Sequence, residues 1–199
     1  MIREFLRAER GSVSIEALII LPVLVLFYIM SFTFYDAYRT QTVVTKAGYT
    51  VADLISRQSG TVTANDIEGM ASMYRYITRG RDNSGIRVTS VRRRVQRDPG
   101  NPIPVVDVYE VANGASYATN GRAPMTTEEL QTRLVNVPQL FENESVTIVE
   151  TFTPYRPPFF IGLDPYTMEA FLVTRQRSGL PIDLDPTPIP TNVTTVSNP

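Results

Sequence analysis

From Ala17 to Tyr35 the chain reads ALIILPVLVLFYIMSFTFY, with no charged residue and an apolar side chain at nearly every position. A helix that is apolar all round belongs either in lipid or in a large core. At about 1.5 Å per residue this run covers roughly 28 Å, close to the hydrocarbon thickness of a bilayer. The pattern then changes. Val44, Ala47, Gly48, Val51 and Ile55 follow the i, i+3, i+4, i+7 spacing of one apolar helix face, with Asp53, Arg57 and Gln58 off that face. One helix from about Val13 to Arg57 is therefore expected, stopped by Ser59-Gly60, with its first half in lipid and its second half offering a stripe to a small domain.

Shorter elements follow. Asn65 reads as the N-cap of a helix running through Met70, Met73 and Tyr74 to Ile77, and RGRDNSG reads as a loop. Ile86–Val95 and the alternating run Val105–Val111 read as an antiparallel pair joined by the turn DPGNP (Asp98 to Pro102). NGAS and NGR mark further turns. Thr126 and Glu129 have the spacing of a capping box before a short helix to about Val135. Ser145–Phe152 and Glu169–Thr174 complete the strands.

The expected fold is α+β: a long N-terminal transmembrane helix continuing into a small antiparallel-sheet domain. The divisions are a charged amino-terminal segment over 1–11, a transmembrane helix over 12–35, and an extracytoplasmic domain over 36–180 that includes a helix extension over 36–57. Residues 181–199, rich in Pro, Thr and Asn, read as an extended or disordered tail.

Charge adds an orientation. Arg3, Arg7 and Arg10 precede the apolar run, whereas Arg39 and Lys46 are the nearby basic residues after it. The positive-inside rule then puts the amino end in the cytoplasm and the bulk of the chain outside. A secretory signal peptide would have a shorter apolar core and a small-x-small cleavage site, and SFTFYDAYRT offers none. Pro22 lies inside the run and should kink or loosen the helix near Leu18, because it lacks a backbone donor and crowds the preceding turn.

Composition narrows the chemistry. The chain has no His, Cys or Trp and a net charge of −1. Zinc, haem and blue-copper sites draw on imidazole or thiolate, and neither Ser-His-Asp nor Cys-His catalysis is possible here. No cofactor, no metal and no nucleic-acid partner are expected, and the protein reads as a non-enzyme. Glu128-Glu129 and Glu142 with Glu144 are adjacent carboxylates better explained by capping and surface placement than by catalysis.

Two further features stand out. Arg92-Arg93-Arg94 is the densest charge cluster. Strand alternation sends Arg92 and Arg94 to one face and Arg93 to the other. The cluster reads as charge guarding a solvated edge strand, or as subunit contacts with acidic residues such as Glu142, Glu144 or Glu150. Glu16 is the second feature: a carboxylate at the start of an apolar run is costly unless it is paired, protonated or interfacial.

Arg10-Gly11-Ser12-Val13-Ser14-Ile15-Glu16 followed by Ala17-Leu18-Ile19-Ile20-Leu21-Pro22 resembles the processing signal of type IV pilin-like proteins. Its form, with aliphatic residues and a proline shortly after the glutamate, looks like the TadE-like minor pilins (pseudopilins) of the Tad, or Flp, tight-adherence system. Ala17 stands where members of that family often carry phenylalanine, which leaves TadE and TadF types both open. The resemblance implies a type IV pilin-like fold and cleavage between Gly11 and Ser12 by a prepilin peptidase, which would make Glu16 the fifth residue of the mature chain. It implies that Glu16 sets assembly register by meeting a neighbouring subunit's new amine. It further implies as partners other pilin-like subunits, the Tad assembly platform and membrane lipid, with a bacterial inner-membrane location, a periplasmic C-terminal domain and entry either into a pilus or into a complex at its base that initiates it. The alternative is an uncleaved single-pass scaffold or sensor with an extracytoplasmic binding domain.

Overall fold

The computed structural model describes residues 10–79, 83–96, 106–159, 161–179, 181–185 and 187. The turn expected at Asp98 to Pro102 lies outside them, as does most of the proline-rich tail.

Helix α1 runs from Arg10 to Arg57, 48 residues or about 72 Å. It is helical through Pro22, where the missing N–H leaves the Leu18 carbonyl without its helical donor. Arg57 closes it: the guanidinium lies in the last turn, where cations complement the helix dipole, and holds Asp53 one turn back at 2.8 Å. The chain divides into two compact units, Met1–Gln41 with Tyr155–Tyr166, and Thr42–Pro154 with Thr167–Pro199, so α1 contributes to both.

The larger unit is α+β. After α1 come β1 (Thr61–Thr63), α2 (Ala64–Ile77), β2 (Gly85–Gln96), β3 (Val106–Ala118), α3 (Thr127–Thr132), a 3₁₀ turn (Leu134–Asn136), β4 (Ser145–Tyr155), β5 (Tyr166–Thr174) and β6 (Asp183–Asp185). The main sheet has the order β3-β2-β4-β5, with β2 antiparallel to both β3 and β4. The carboxyl ends of Ser145–Phe152 and the amino end of Glu169–Thr174, as expected from sequence, extend by a few residues to give β4 and β5.

Strand alternation gives the sheet two cores. On one face Ile86, Val88, Val149 and Leu172 pack with Val51 and Ile55 of α1 and Ile67 and Tyr74 of α2. On the other, Val91, Val146 and Ile148 meet Val111, Met125, Leu130 and Leu140. Helix α1 approaches the first face closely at Gly48, where an added Cβ would stand 3.0 Å from Leu172 Cδ1 and 3.4 Å from Thr151 Cγ2. The Tyr74 hydroxyl, buried beneath α2, shares a 2.6 Å hydrogen bond with Thr153 Oγ1.

Several expectations need correction. Helix α2 is capped by Thr63 rather than Asn65: Thr63 Oγ1 accepts from the Asp66 N–H at 3.3 Å, and Asp66 Oδ2 accepts from the Thr63 N–H at 2.9 Å. That reciprocal pair is a complete capping box, and the Thr63 backbone bond lowers the Asp66 pKa. Asn113-Gly114 is no turn but lies within β3. Thr89 pairs with Ser116 and Val91 with Val111, so residues 112–115 of β3 stand against Ser90 alone, and the extra residues form an irregularity in the ladder. NGR does turn the chain, with Asn120 and Gly121 both at positive φ. Part of the expected tail is ordered: Asp183–Asp185 forms β6, parallel to β1, and buries Leu184 against Val62 and the first core.

The smaller unit joins the first part of α1 to the β4–β5 connection. Thr33, Ala37 and Thr40 form a buried stripe on this part of the helix. Tyr155 donates to Asp36 Oδ2 at 3.0 Å, and the Phe159 ring meets Phe32 edge to face at 6.2 Å between centroids.

Candidate functional site

The residues singled out near the amino end all lie on α1. Gly11 and Ser12 fall in its first turn, and Glu16 sits one turn further on with its side chain exposed. Its surroundings are apolar. Ile15, Leu18, Ile19 and Ile20 are all exposed, Leu18 by 75%, and so are Leu21, Val23, Leu24, Phe27 and Tyr28 beyond them. Positions 18 to 21 alone cover more than three-quarters of the helix circumference, at about 100° per residue. This is a cylinder, not a stripe. Among the described residues, α1 is the one helix long and apolar enough to cross a membrane, by length and composition. Among them also, no hydrogen bond or ion pair engages the Glu16 carboxylate. The site thus consists of one acid on an apolar rod, just beyond the Gly11-Ser12 peptide.

The arginine cluster does not lie on the edge strand expected from sequence. Strand β2 is interior, not an edge, since β3 and β4 flank it. The expected alternation holds. Arg92 stands opposite Ser145 and Glu110, donating to Ser145 Oγ at 3.3 Å, while Arg94 pairs with Glu110 at 3.0 Å from the same face. Arg93 turns the other way and donates to the Leu140 carbonyl at 2.5 Å. Two of the acids considered as subunit contacts are engaged within the chain: Glu144 with Arg175 at 2.7 Å, and Glu150 in a buried network.

That network was not legible as such in the sequence. Arg87 and Glu150 face each other across β2 and β4, and their side chains are only 3% and 2% exposed. Arg87 Nε donates to Glu150 Oε2 at 2.5 Å, and its other nitrogens hold both oxygens of Glu129 at 3.0 and 2.7 Å. Arg133 closes the ring, reaching Glu150 Oε1 at 2.7 Å and Glu129 at 3.4 Å. Burial works against the Arg87 charge, but its hydrogen bonds to Glu150 and Glu129 more than offset this and raise its pKa. The same Arg87 hydrogen bond holds Glu129 below the usual carboxylate range, against a smaller opposing effect of burial. Two arginines against two glutamates leave the ring neutral, and each buried charge has partners on both sides.

Glu129 therefore does not complete the capping box expected with Thr126. Thr126 Oγ1 accepts from the Glu129 N–H at 3.2 Å, but the Glu129 carboxylate goes to Arg87 instead of reaching back. A cavity of about 490 Å³ lies between α1 and β5, lined by Tyr49, Asp53, Phe171, Val173, Arg175 and Arg177 among others. Its charges are also paired, Arg177 with Asp53 at 2.5 Å and Arg175 with Glu144. Among the described residues no cluster of three or more acidic, His or Cys side chains is placed to hold a metal ion.

Comparison of the chain with family models, with curated proteins and with solved structures gives no match.

Proposed function

We propose that this chain is a non-enzymatic minor pilin or pilus-assembly protein of the Tad (Flp) kind, with a type IV pilin-like fold. In this reading α1 holds it in a bacterial inner membrane, amino end in the cytoplasm and sheet domain in the periplasm. A prepilin peptidase cuts between Gly11 and Ser12, and the subunit then joins other pilin-like subunits at the assembly platform. The observation that supports this best is Glu16 itself, exposed on an apolar cylinder one turn after Gly11-Ser12.

The physical argument concerns what such a carboxylate would gain. An ion in a poorly solvated region is costly when alone and strongly attracted to an opposite charge at low effective dielectric. Cleavage would create a positively charged amine at Ser12, equally in need of a partner. Helices packed side by side with one Glu16 against a neighbour's amine would satisfy both charges and fix the axial register.

Replacing Glu16 by Gln keeps the shape and removes the charge. The Glu16→Gln protein is expected to insert into the membrane and to be cut normally, but to fail in assembly, so that piliation and surface adhesion are lost. Normal pili and adhesion from cells carrying Glu16→Gln would sink the assignment. The competing reading, an uncleaved scaffold or sensor, predicts no effect of this change on any filament.

A further inference from the structure

We infer that the β4–β5 connection, Tyr155–Tyr166, is a second membrane-contacting element: an aromatic loop resting at the headgroup–acyl boundary of the leaflet that faces the sheet domain. The inference rests on the reading of α1 as a membrane span and adds a specific partner surface to it.

The loop's partner residues on α1 set its depth. Phe159 packs edge to face on Phe32, and a Cβ built on Gly162 would lie 3.7 Å from Met30 Cε and 4.0 Å from Phe34 Cε2. Met30, Phe32 and Phe34 all belong to the uncharged run that ends before Asp36. Phe32 precedes Asp36 by about one helical turn, or roughly 6 Å along the axis. A segment packed there lies at the depth to which interfacial elements bury their apolar faces, about 5–10 Å. The start of the loop is tied to the first charge after the run, by the hydrogen bond from Tyr155 to Asp36.

The loop's composition fits that depth. Phe159 and Tyr166 remain 42% and 43% exposed although both make ring contacts, and Ile161 and Leu163 are half-buried. On α1 itself Tyr35 and Tyr38 are exposed at the same end of the run. Aromatic rings with a polar tip collect at membrane–water boundaries. Arg156 is exposed and carries a charge suited to lipid phosphate, while Asp164 is exposed near the other end of the loop. Pro157, Pro158 and Pro165 lack backbone N–H groups, which lessens the number of donors left bare by an irregular segment. Irregular backbone is not tolerated facing the hydrocarbon interior, so the boundary, and not the bilayer centre, is where such a loop comes to rest.

The absence of native tryptophan makes the test direct. Full-length Phe159→Trp, and separately Leu163→Trp, would be reconstituted in phosphatidylethanolamine–phosphatidylglycerol vesicles. Spin labels would be placed on the lipid either near the headgroup or near the chain terminus. Leu24→Trp, in the middle of the apolar run, reports on α1 alone. The expected result is blue-shifted emission from the loop reporters, quenched more by the shallow label than by the deep one, with the reverse order for Leu24→Trp. Water-like, unquenched emission from both loop reporters, with Leu24→Trp quenched by the deep label, would overturn the loop's role and leave the span intact. Blue-shifted but unquenched loop emission would also overturn it, in favour of contact with a second copy. An unquenched Leu24→Trp would remove the span and the loop proposal together.

Discussion

The two ends of α1 are both rich in apolar residues but solve different problems. From Val44 to Ile55 the apolar residues recur on one face, and Val44, Ala47, Val51 and Ile55 are all fully buried. From Ile15 to Tyr28 they recur on every face and are exposed. Protein covers the first set, and none of the described residues covers the second. The carboxylates divide in the same way. Glu150 is buried and held by Arg87 and Arg133, whereas Glu16 stands on the bare end with no partner among the described residues. The lesson is that a single helix carries two patterns, a stripe buried in its own domain and an apolar cylinder left exposed.

Three substitutions sharpen that comparison. The largest effect should come from Glu150→Ala. Removing one member of a buried, hydrogen-bonded ion network takes the acceptor from Arg87 Nε and a partner from Arg133 and leaves the ring with a net positive charge, at about 3–5 kcal/mol. Chemical unfolding of the detergent-solubilised protein should show a large drop in midpoint, and an unchanged midpoint would mean the ring is not a structural element. Next comes the pair Ile55→Ala and Ile19→Ala. The first empties a buried site on the sheet and should cost about 2–4 kcal/mol. The second removes a side chain that no core contacts and should move the same transition by less than about 0.5 kcal/mol. Equal losses would erase the distinction between the two ends of α1.

The smallest effect is a pH dependence. Hydrogen bonding to Arg87 depresses the Glu129 pKa from its ordinary value of 4.5. A group whose folded pKa is depressed stabilises the fold above its unfolded pKa and loses that contribution as pH falls through the folded value. Stability should therefore fall as the solution is acidified below about pH 4.5. Glu129→Gln should flatten part of that decline without abolishing the fold, as followed by circular dichroism. An identical acid profile in the variant would contradict the assignment of this carboxylate.

How much of this was legible in the sequence follows from how local each signal is. The length of α1, its change of pattern after Tyr35, and the pairing of Ile86–Val95 with Val105–Val111 rest on periodicity within a few turns or one hairpin; the structure reproduces the first two and pairs Val91–Val95 with 107–111. Thr63, Asn65 and Asp66 are all capping residue types, so sequence alone does not place the N-cap of α2, and only the reciprocal bonds select Thr63. The pairing of β1 with β6 joins residues over a hundred positions apart through three-residue strands, for which alternation gives no pattern to read. The arginines of β2 suggest a charged, solvated edge, yet the strand is interior. Its position between β3 and β4 depends on pairing with a strand more than fifty residues on. The Arg87 network was hidden for the same reason: its four members come from β2, α3, β4 and the turn after α3. What made Glu16 visible was contrast, one acid in a run that had no other.

The central claim is that Gly11-Ser12 is a cut site and Glu16 an assembly residue of the mature chain. Its most direct test is the intact mass of the protein extracted from the membranes of cells with an active prepilin peptidase. The account predicts a species lacking residues 1–11 and beginning at Ser12. A chain retaining those residues in such cells would contradict it and leave α1 as a plain anchor.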